Sequence, residues 1–406
     1  MKKICFFCGI FLLTAGLCFS QNVITYTGSE NYILVERSDL SRKDNGKYVG
    51  LFSREIRSFI SPVQKDGVNI YEGDFYVDQD TKRAASVVGK SLHDSISSVF
   101  TIADDGTFTM LEDNGFPSFR SFPVYSREKI AKGSTWESQS ERAVDPLNKG
   151  IFTKIPMFVQ YSYTRDADYH GIPVYVFKAK WATRYGGSIV DLEGDSELKS
   201  ASGTHEADVF VSMKNGAAVY IRDKVDETFV YRDGNSYNFR GTLNLFTEYP
   251  PSVDEEELLP VIQRVAMADS TNQLDKSFKP NKNEKLEVEK TNAGIRLRMN
   301  DLRFKPDSSE LLDSEKTRID QITEILKKAP DSMFLVEGHT ASTGREQGEM
   351  QLSLERAHSI VNELAARGIP VERFICKGSG GKKPVADNST DQGRAKNRRV
   401  EITILQ

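Results

Sequence analysis

The sequence predicts an α+β chain of two folded parts. A mostly antiparallel β body, built as a curved sheet or a sandwich, precedes a smaller βαβ domain with a mixed sheet. Three observations predict this. Apolar residues recur with period two through residues 21–249, punctuated by Asn-Gly and Asp-Gly turns. A connector rich in Ser, Asn, Lys and Pro occupies 250–282. From 283 to 406, strand-like runs alternate with helix-period stripes. The length of 406 residues accommodates such a division at roughly 100–200 residues per domain.

The chain begins with a sorting signal. Lys2 and Lys3 precede the apolar run Ile4–Phe19, and Cys18 and Ser20 put small residues three and one before Gln21. This pattern predicts a secretory signal peptide over 1–20 and an exported mature chain. The alternative is a lipidated Cys18, which would require a cut after Leu17. Cysteine usage agrees with the first reading: Cys5, Cys8 and Cys18 lie in the signal, so Cys376 alone remains and pairs with no partner in the mature chain. Its alternating context predicts a packed strand residue rather than a reactive thiol.

Composition excludes several classes. With 38% hydrophobic and 28% charged residues, the chain is no multi-span helical membrane protein. A net charge of −4 predicts no nucleic-acid partner. The tail is nearly neutral and the body mildly acidic, which disfavours anionic polymers as partners of the body.

Within the body, Val174–Arg184 alternates Phe177, Ala179 and Trp181 with Lys178, Lys180 and Ala182. That is a half-buried antiparallel strand, paired with Phe158–Tyr163 across a turn containing Asp166, Asp168 and Gly171. Ala207–Met213, Ala217–Arg232 and Tyr237–Tyr249 continue a meander through the turns Asn215-Gly216 and Asp233-Gly234. Weak helical signals fall on Ser53–Ile60 and Lys82–Val99. A transmembrane barrel is the competing architecture, but charge at many strand positions and irregular strand spacing favour a soluble sheet. In the connector, Pro250-Pro251 ends the last strand. A short helix then runs from Asp254 to Met267, interrupted at Pro260, and the solvated linker follows.

In the tail, Leu286–Lys290 and Ile295–Asn300 predict a hairpin, followed by the loop Phe304–Ser309. Leu312, Ile319, Ile322 and Leu326 form one helical stripe; Met333–Gly338 is a strand; Ala357, Ile360, Val361, Leu364 and Ala365 form a second stripe, closed by Gly368 and Pro370. Val371–Lys377 and Val400–Leu405 are further strands.

The tail resembles the OmpA-like peptidoglycan-binding domain. The matching pieces are Phe304-Lys-Pro-Asp-Ser-Ser-Glu-Leu311, Val336-Glu-Gly-His-Thr340, Leu352-Ser-Leu-Glu-Arg-Ala357, Gly368-Ile-Pro370 and Gly393–Ile402, in the family's order. The resemblance covers under a third of the chain. It implies an envelope protein of the periplasm or outer membrane whose domain grips the stem peptide of peptidoglycan without cleaving it. It also implies ligand-binding roles for Arg356, Arg398, Thr340 and Asp307, with Arg356 taking the carboxylate of a diaminopimelate end by a bidentate pair. One position departs from the family: Ala341 stands where the ammonium-holding aspartate belongs. Losing one partner of a buried pair costs about 3–5 kcal/mol. The resemblance therefore implies weak or altered binding, with Glu349 as a possible substitute carboxylate if its loop folds back. The alternative function is a divergent scaffold whose body, residues 21–249, binds another envelope or extracellular protein.

No catalytic residues, no metal and no cofactor are predicted. His93, His170, His205, His339 and His358 lack metal-ligand spacing, Gly89-Lys90-Ser91 lacks the earlier glycine of a phosphate loop, and no nucleophile with its base is in evidence.

Overall fold

A computed structural model describes residues 23–83, 86–249, 253–268, 286–291, 293–300, 302–305, 308–342 and 344–406. The signal peptide with Cys18, most of the linker and Asp307 lie outside the described residues.

The body is one antiparallel sheet of twelve strands: β1 (Tyr32–Asp44), β2 (Lys47–Lys65), β3 (Val68–Arg83), β4 (Ser86–Ile102), β5 (Phe108–Glu112), β6 (Phe119–Arg120), β7 (Thr135–Val144), β8 (Thr153–Tyr169), β9 (Ile172–Tyr185), β10 (Leu198–Ser212), β11 (Ala218–Tyr231) and β12 (Ser236–Glu248). Their spatial order is β5-β4-β3-β2-β1-β12-β11-β10-β9-β8-β7-β6. The first strand pairs with the last, so two meanders join at β1–β12 and the free edges are β5 and β6. Segments next to those edges approach each other: Phe108 N–H donates to Ser121 Oγ at 2.9 Å, and Tyr125 N–H to Asp105 O at 2.8 Å. The curved sheet is thus nearly closed, and its concave face buries the main core, including Phe177, Ala179 and Trp181.

The long β8–β9 hairpin pairs Tyr163 with Phe177, and its turn lies at Tyr169–Ile172, with Asp166 and Asp168 still in the strand. The two weak helical signals are strand. Ser53–Ile60 belongs to β2 and Lys82–Val99 to β3 and β4. Phe52, Ile56 and Ile60 are spaced by four, a spacing that shares one face in either a helix or a strand, and all three are buried on β2. Pairing with β1 and β3 decides for strand.

Helix α1 (Glu255–Ala268) runs through Pro260 without interruption. Asp254 Oδ1 accepts the N–H groups of Glu256 and Glu257 at 3.0 and 3.2 Å, an N-terminal cap that compensates for the hydrogen bond proline cannot donate. The buried residues Leu258, Val261, Ile262 and Val265 belong to the core of the tail.

The tail comprises β13 (Leu286–Thr291), β14 (Gly294–Asn300), α2 (Lys316–Leu326), β15 (Phe334–Gly338), α3 (Glu346–Ala366), β16 (Phe374–Gly378), α4 (Asp391–Asn397) and β17 (Arg399–Leu405). The sheet order is β13-β14-β17-β15-β16, parallel between β15 and β16 and antiparallel elsewhere. Ile295, Leu297, Phe334, Val336, Ile402 and Ile404 face the helix residues Ile319, Ile322, Ala357, Ile360 and Leu364. Cys376 on β16 packs partly buried against this core, and burial pushes its thiol up to about 12. Each core cluster draws on one part only. Polar contacts bridge the two parts: Asn31 Nδ2 donates to Gln406 O at 2.7 Å and Arg57 Nη1 to Glu372 O at 3.1 Å. No described helix is long and apolar enough to cross a membrane.

Candidate functional site

The site gathers around the C-terminal end of β15. Gly338 closes the strand because the helix passes directly over it: a Cβ there would stand 2.0 Å from Ser353 O on α3. The chain continues as His339, whose N–H donates to Arg399 O at 2.9 Å, and Thr340, whose N–H donates to Gly380 O at 2.9 Å. These two bonds pin Thr340 and Ala341 between β17 and the loop after β16. Both side chains are buried, and Thr340 Oγ1 has no hydrogen-bond partner among the described residues.

Arg356 lies one turn of α3 beyond Ser353 and is half-buried. Its guanidinium carbon sits 4.8 Å from the centre of the Phe304 ring, and Nε donates to Ser308 O at 3.3 Å. Stacking on an aromatic face and a backbone acceptor hold the fork in one orientation, which limits the entropy lost on binding a carboxylate. Phe304 is itself fixed by a bridge to Leu311, and Lys305 N–H donates to Glu310 O at 2.8 Å across the same loop.

Glu349 occupies the first turn of α3 and is buried. Its Oε1 accepts the Arg345 N–H at 3.3 Å. A Cβ added to Gly381 would lie 2.8 Å from Glu349 Oε2 and 2.8 Å from Ser342 Cα, so the carboxylate stands beside the residue that follows Ala341. Arg398 caps the C-terminus of α4, its N–H donating to Arg394 O at 3.1 Å, and its side chain is exposed. Thr340, Ala341 and Glu349 are thus brought together at one loop, with Arg356 further along the same helix.

Sequence reasoning missed a charged network on the second face of the tail sheet. Glu401 accepts from Arg298 Nε at 2.9 Å and Arg399 Nε at 2.8 Å, so Arg399, not Arg398, holds it. Glu337 accepts from Lys383 Nζ at 3.1 Å and from the Ser379 hydroxyl. Burial alone would raise Glu337, but Lys377 foremost, with Lys383 and the Ser379 hydroxyl, holds it down to about 2. His339 Nε2 lies 3.8 Å from Glu337 and 3.9 Å from Glu401. Neither ring nitrogen has a hydrogen-bond partner among the described residues. Burial, reinforced by the Arg399 charge, lowers His339 to about 4 against the opposing carboxylates. Donor atoms of Glu337, His339 and Glu401 lie within 4.8 Å of one another, a grouping the sequence spacing did not suggest. Both carboxylates already serve arginine or lysine, which a divalent ion would have to displace.

Fold and site together define a mixed-sheet α/β domain that presents oriented arginine and carboxylate groups around one strand end. Residues 303–398 match the model of the OmpA family, and the tail is an OmpA-family domain. Among relatives, the peptidoglycan-binding protein ArfA of Mycobacterium tuberculosis is 38% identical over 86 residues, 21% of this chain and 26% of its own length. The probable lipoprotein YiaD of Escherichia coli is 41% identical over 83 residues, 20% of this chain and 38% of its own length. The chain therefore spans only about a quarter to two fifths of these relatives. A solved outer membrane protein from Borrelia burgdorferi is 38% identical, covers 30% of this chain and 100% of its own, and superposes with a TM-score of 0.26. The family match does not extend to residues 21–249.

Proposed function

We propose that this is an exported envelope protein whose tail contacts the peptide stem of peptidoglycan non-covalently and tethers the β-rich body to the wall. The observation that carries the reading is Arg356, held against Phe304 within an OmpA-family domain. The relative ArfA is named for the same ligand class. The reaction class is binding without bond cleavage. Arg356 takes the carboxylate of a zwitterionic stem-peptide end. Thr340 offers a hydroxyl at the strand end, and Arg398 adds positive charge at the rim.

The ammonium end is held less firmly. Ala341 brings no charge, and an ammonium left without a partner keeps its water or is desolvated at a loss. Glu349 is the substitute carboxylate, acting from the first turn of α3. Its reach makes weak binding the expected state rather than none.

Co-sedimentation of the mature protein with purified diaminopimelate-containing sacculi tests the proposal. Weak, saturable binding that Arg356→Ala abolishes is expected. Binding unaffected by Arg356→Ala would overturn it, and would favour a scaffold whose partner meets the body.

A further inference from the structure

The body contains two chambers that wall binding does not use. One, of about 80 Å³, is lined by aromatic side chains including Tyr26, Phe100, Phe108, Phe122 and Tyr125. The other, of about 60 Å³, is lined by Glu36, Arg54, Arg142, Asp145 and Glu227. Phe119 and Leu245 line both. Leu34 and Glu36, on the same face of β1, line the first and the second respectively. The chambers therefore meet end to end at a waist formed by Phe119 and Leu245, apolar on one side and charged on the other. Residues 24–27 cross the apolar end: Ile24 is buried, Tyr26 N–H donates to Asp104 O at 2.7 Å and Thr27 N–H to Asn215 O at 2.9 Å.

In the charged chamber every ionised group but one is matched. Arg142 pairs with Glu227 at 2.7 Å. Glu36 accepts from the Ser118 N–H at 3.0 Å and from the Ser118 hydroxyl. Asp145 accepts from the N–H groups of Lys149 and Gly150 at 2.9 and 2.7 Å. Arg54 makes no ion pair among the described residues. Its Nε is buried without a hydrogen-bond partner, and its one hydrogen bond runs from Nη1 to Asn148 Oδ1 at 3.4 Å. A guanidinium with unspent donors inside a protein calls for an acceptor, and the two nearby carboxylates already serve backbone groups. Their charge opposes the loss of the Arg54 proton, although burial is the larger influence and lowers it.

We propose that the body binds a single-chain alkyl carboxylate, with the chain in the aromatic chamber and the carboxylate on Arg54. The fork of Arg54 suits a carboxylate's two oxygens, and the aromatic walls suit methylene groups. Together the chambers are of the size that holds a ligand of about eight to ten heavy atoms once the waist side chains turn, so octanoate is the probe.

Calorimetric titration of the mature full-length protein with octanoate and with 1-octanol at pH 7.5 tests this. The fluorescence of Trp181, whose ring lies 5.1 Å from Phe122, serves as a second readout. Octanoate is expected to bind at least ten-fold more tightly than octanol. Arg54→Met should weaken octanoate ten-fold or more while octanol changes less than two-fold, and Arg54→Lys should restore part of the loss. Leu245→Trp should block both ligands; if it unfolds by thermal melt, Ala218→Phe fills the same chamber from β11. Absence of octanoate binding at millimolar concentration, equal affinity for the alcohol, or an Arg54→Met protein that binds octanoate as before would each overturn the proposal.

Discussion

Replacing Glu349 by Gln should weaken wall binding by about 10-fold or more. The substitution keeps the shape of the side chain and removes one charge. Glu349 Oε2 and Ser342 Cα both lie 2.8 Å from the point where a Gly381 Cβ would stand, so they are within about 6 Å of each other. An ammonium lodged between them would sit about 4 Å from the carboxylate. At an effective dielectric near 20, that pair attracts by about 4 kcal/mol. Dehydration of both ions returns much of this, leaving the roughly 1.5–3 kcal/mol typical of a hydrogen bond to a charged group. That corresponds to about 10- to 150-fold in affinity. Ala341→Asp supplies a second carboxylate for the same ammonium. Acting alone in the Glu349→Gln background, it should strengthen binding by about 10–1000-fold, or about 1.4–4 kcal/mol. With Glu349 present the gain should be smaller, because both groups compete for one cation. The assay is a double-mutant cycle read by co-sedimentation with sacculi, with Arg356→Ala as the control that abolishes binding in every background. Equal gains from Ala341→Asp with and without Glu349 would place Glu349 away from the ammonium. No response to either change would refute this reading of the pocket.

Further outcomes concern stability. His339 is held near 4, below its ordinary value of about 6.5, so the unfolded chain takes the proton first as pH falls. Stability should therefore drop by about 3 kcal/mol between pH 6.5 and 4, and His339→Gln should flatten that slope in urea titrations. Glu337, held down to about 2, adds a separate loss from about pH 4.5 toward 2. In the body, Glu227→Gln strips one charge from a buried cluster in which Glu227 meets Arg142, His205 at 2.9 Å and Thr183. A loss of about 3–5 kcal/mol is expected in the body's unfolding transition, and a loss under 1 kcal/mol would contradict the pairing. Leu258→Ala on α1 should destabilise the tail by about 2–5 kcal/mol, and a tail starting at residue 253 should melt higher than one starting at 283. Limited proteolysis should cut between residues 269 and 285, leaving α1 with the tail.

The meander of the body was legible because period-two patterning and Asn-Gly or Asp-Gly turns carry register and reversal in the same few residues. The helical stripes of α2 and α3 were legible for the matching reason at period 3.6. Where the sequence misled, two periods coincided or no apolar stripe existed. Phe52, Ile56 and Ile60 satisfy both helix and strand. Helix α4 reads Asp-Gln-Gly-Arg-Ala-Lys-Asn, and only the cap, Thr390 Oγ1 accepting from Gly393 N–H at 3.0 Å, announces it. Near-closure of the sheet depends on contacts between residues 105–108 and 121–125, which no local pattern encodes.

The site divides along the same line. Arg356 and Ala341 were readable because they lie inside linear motifs, whereas the position of Glu349 against Ser342 follows from the path of the loop after β16. That loop also explains the hidden charged network. Arg296, Arg298, Glu337, His339, Arg399 and Glu401 alternate with core residues and so read as a solvated face. In the fold, residues 379–390 return across the end of that face. Asn397, fully buried, holds the loop there by accepting from the N–H groups of Val385 and Ala386 at 2.8 and 3.0 Å and donating to Ala386 O at 2.8 Å. Arg399 Nη2 donates to Lys383 O at 3.0 Å, and Lys383 reaches back to Glu337. The same loop supplies Gly380 O to Thr340 and Asn388 Oδ1 to the Ser342 N–H. Asn397 therefore couples the buried ion pairs to the geometry of the binding loop. A side chain there that lacks both donor and acceptor, as in Asn397→Leu, should loosen Thr340–Ser342 and weaken sacculus binding even though it touches no ligand. Unchanged binding in a protein that still folds would show that the loop keeps its path by other contacts.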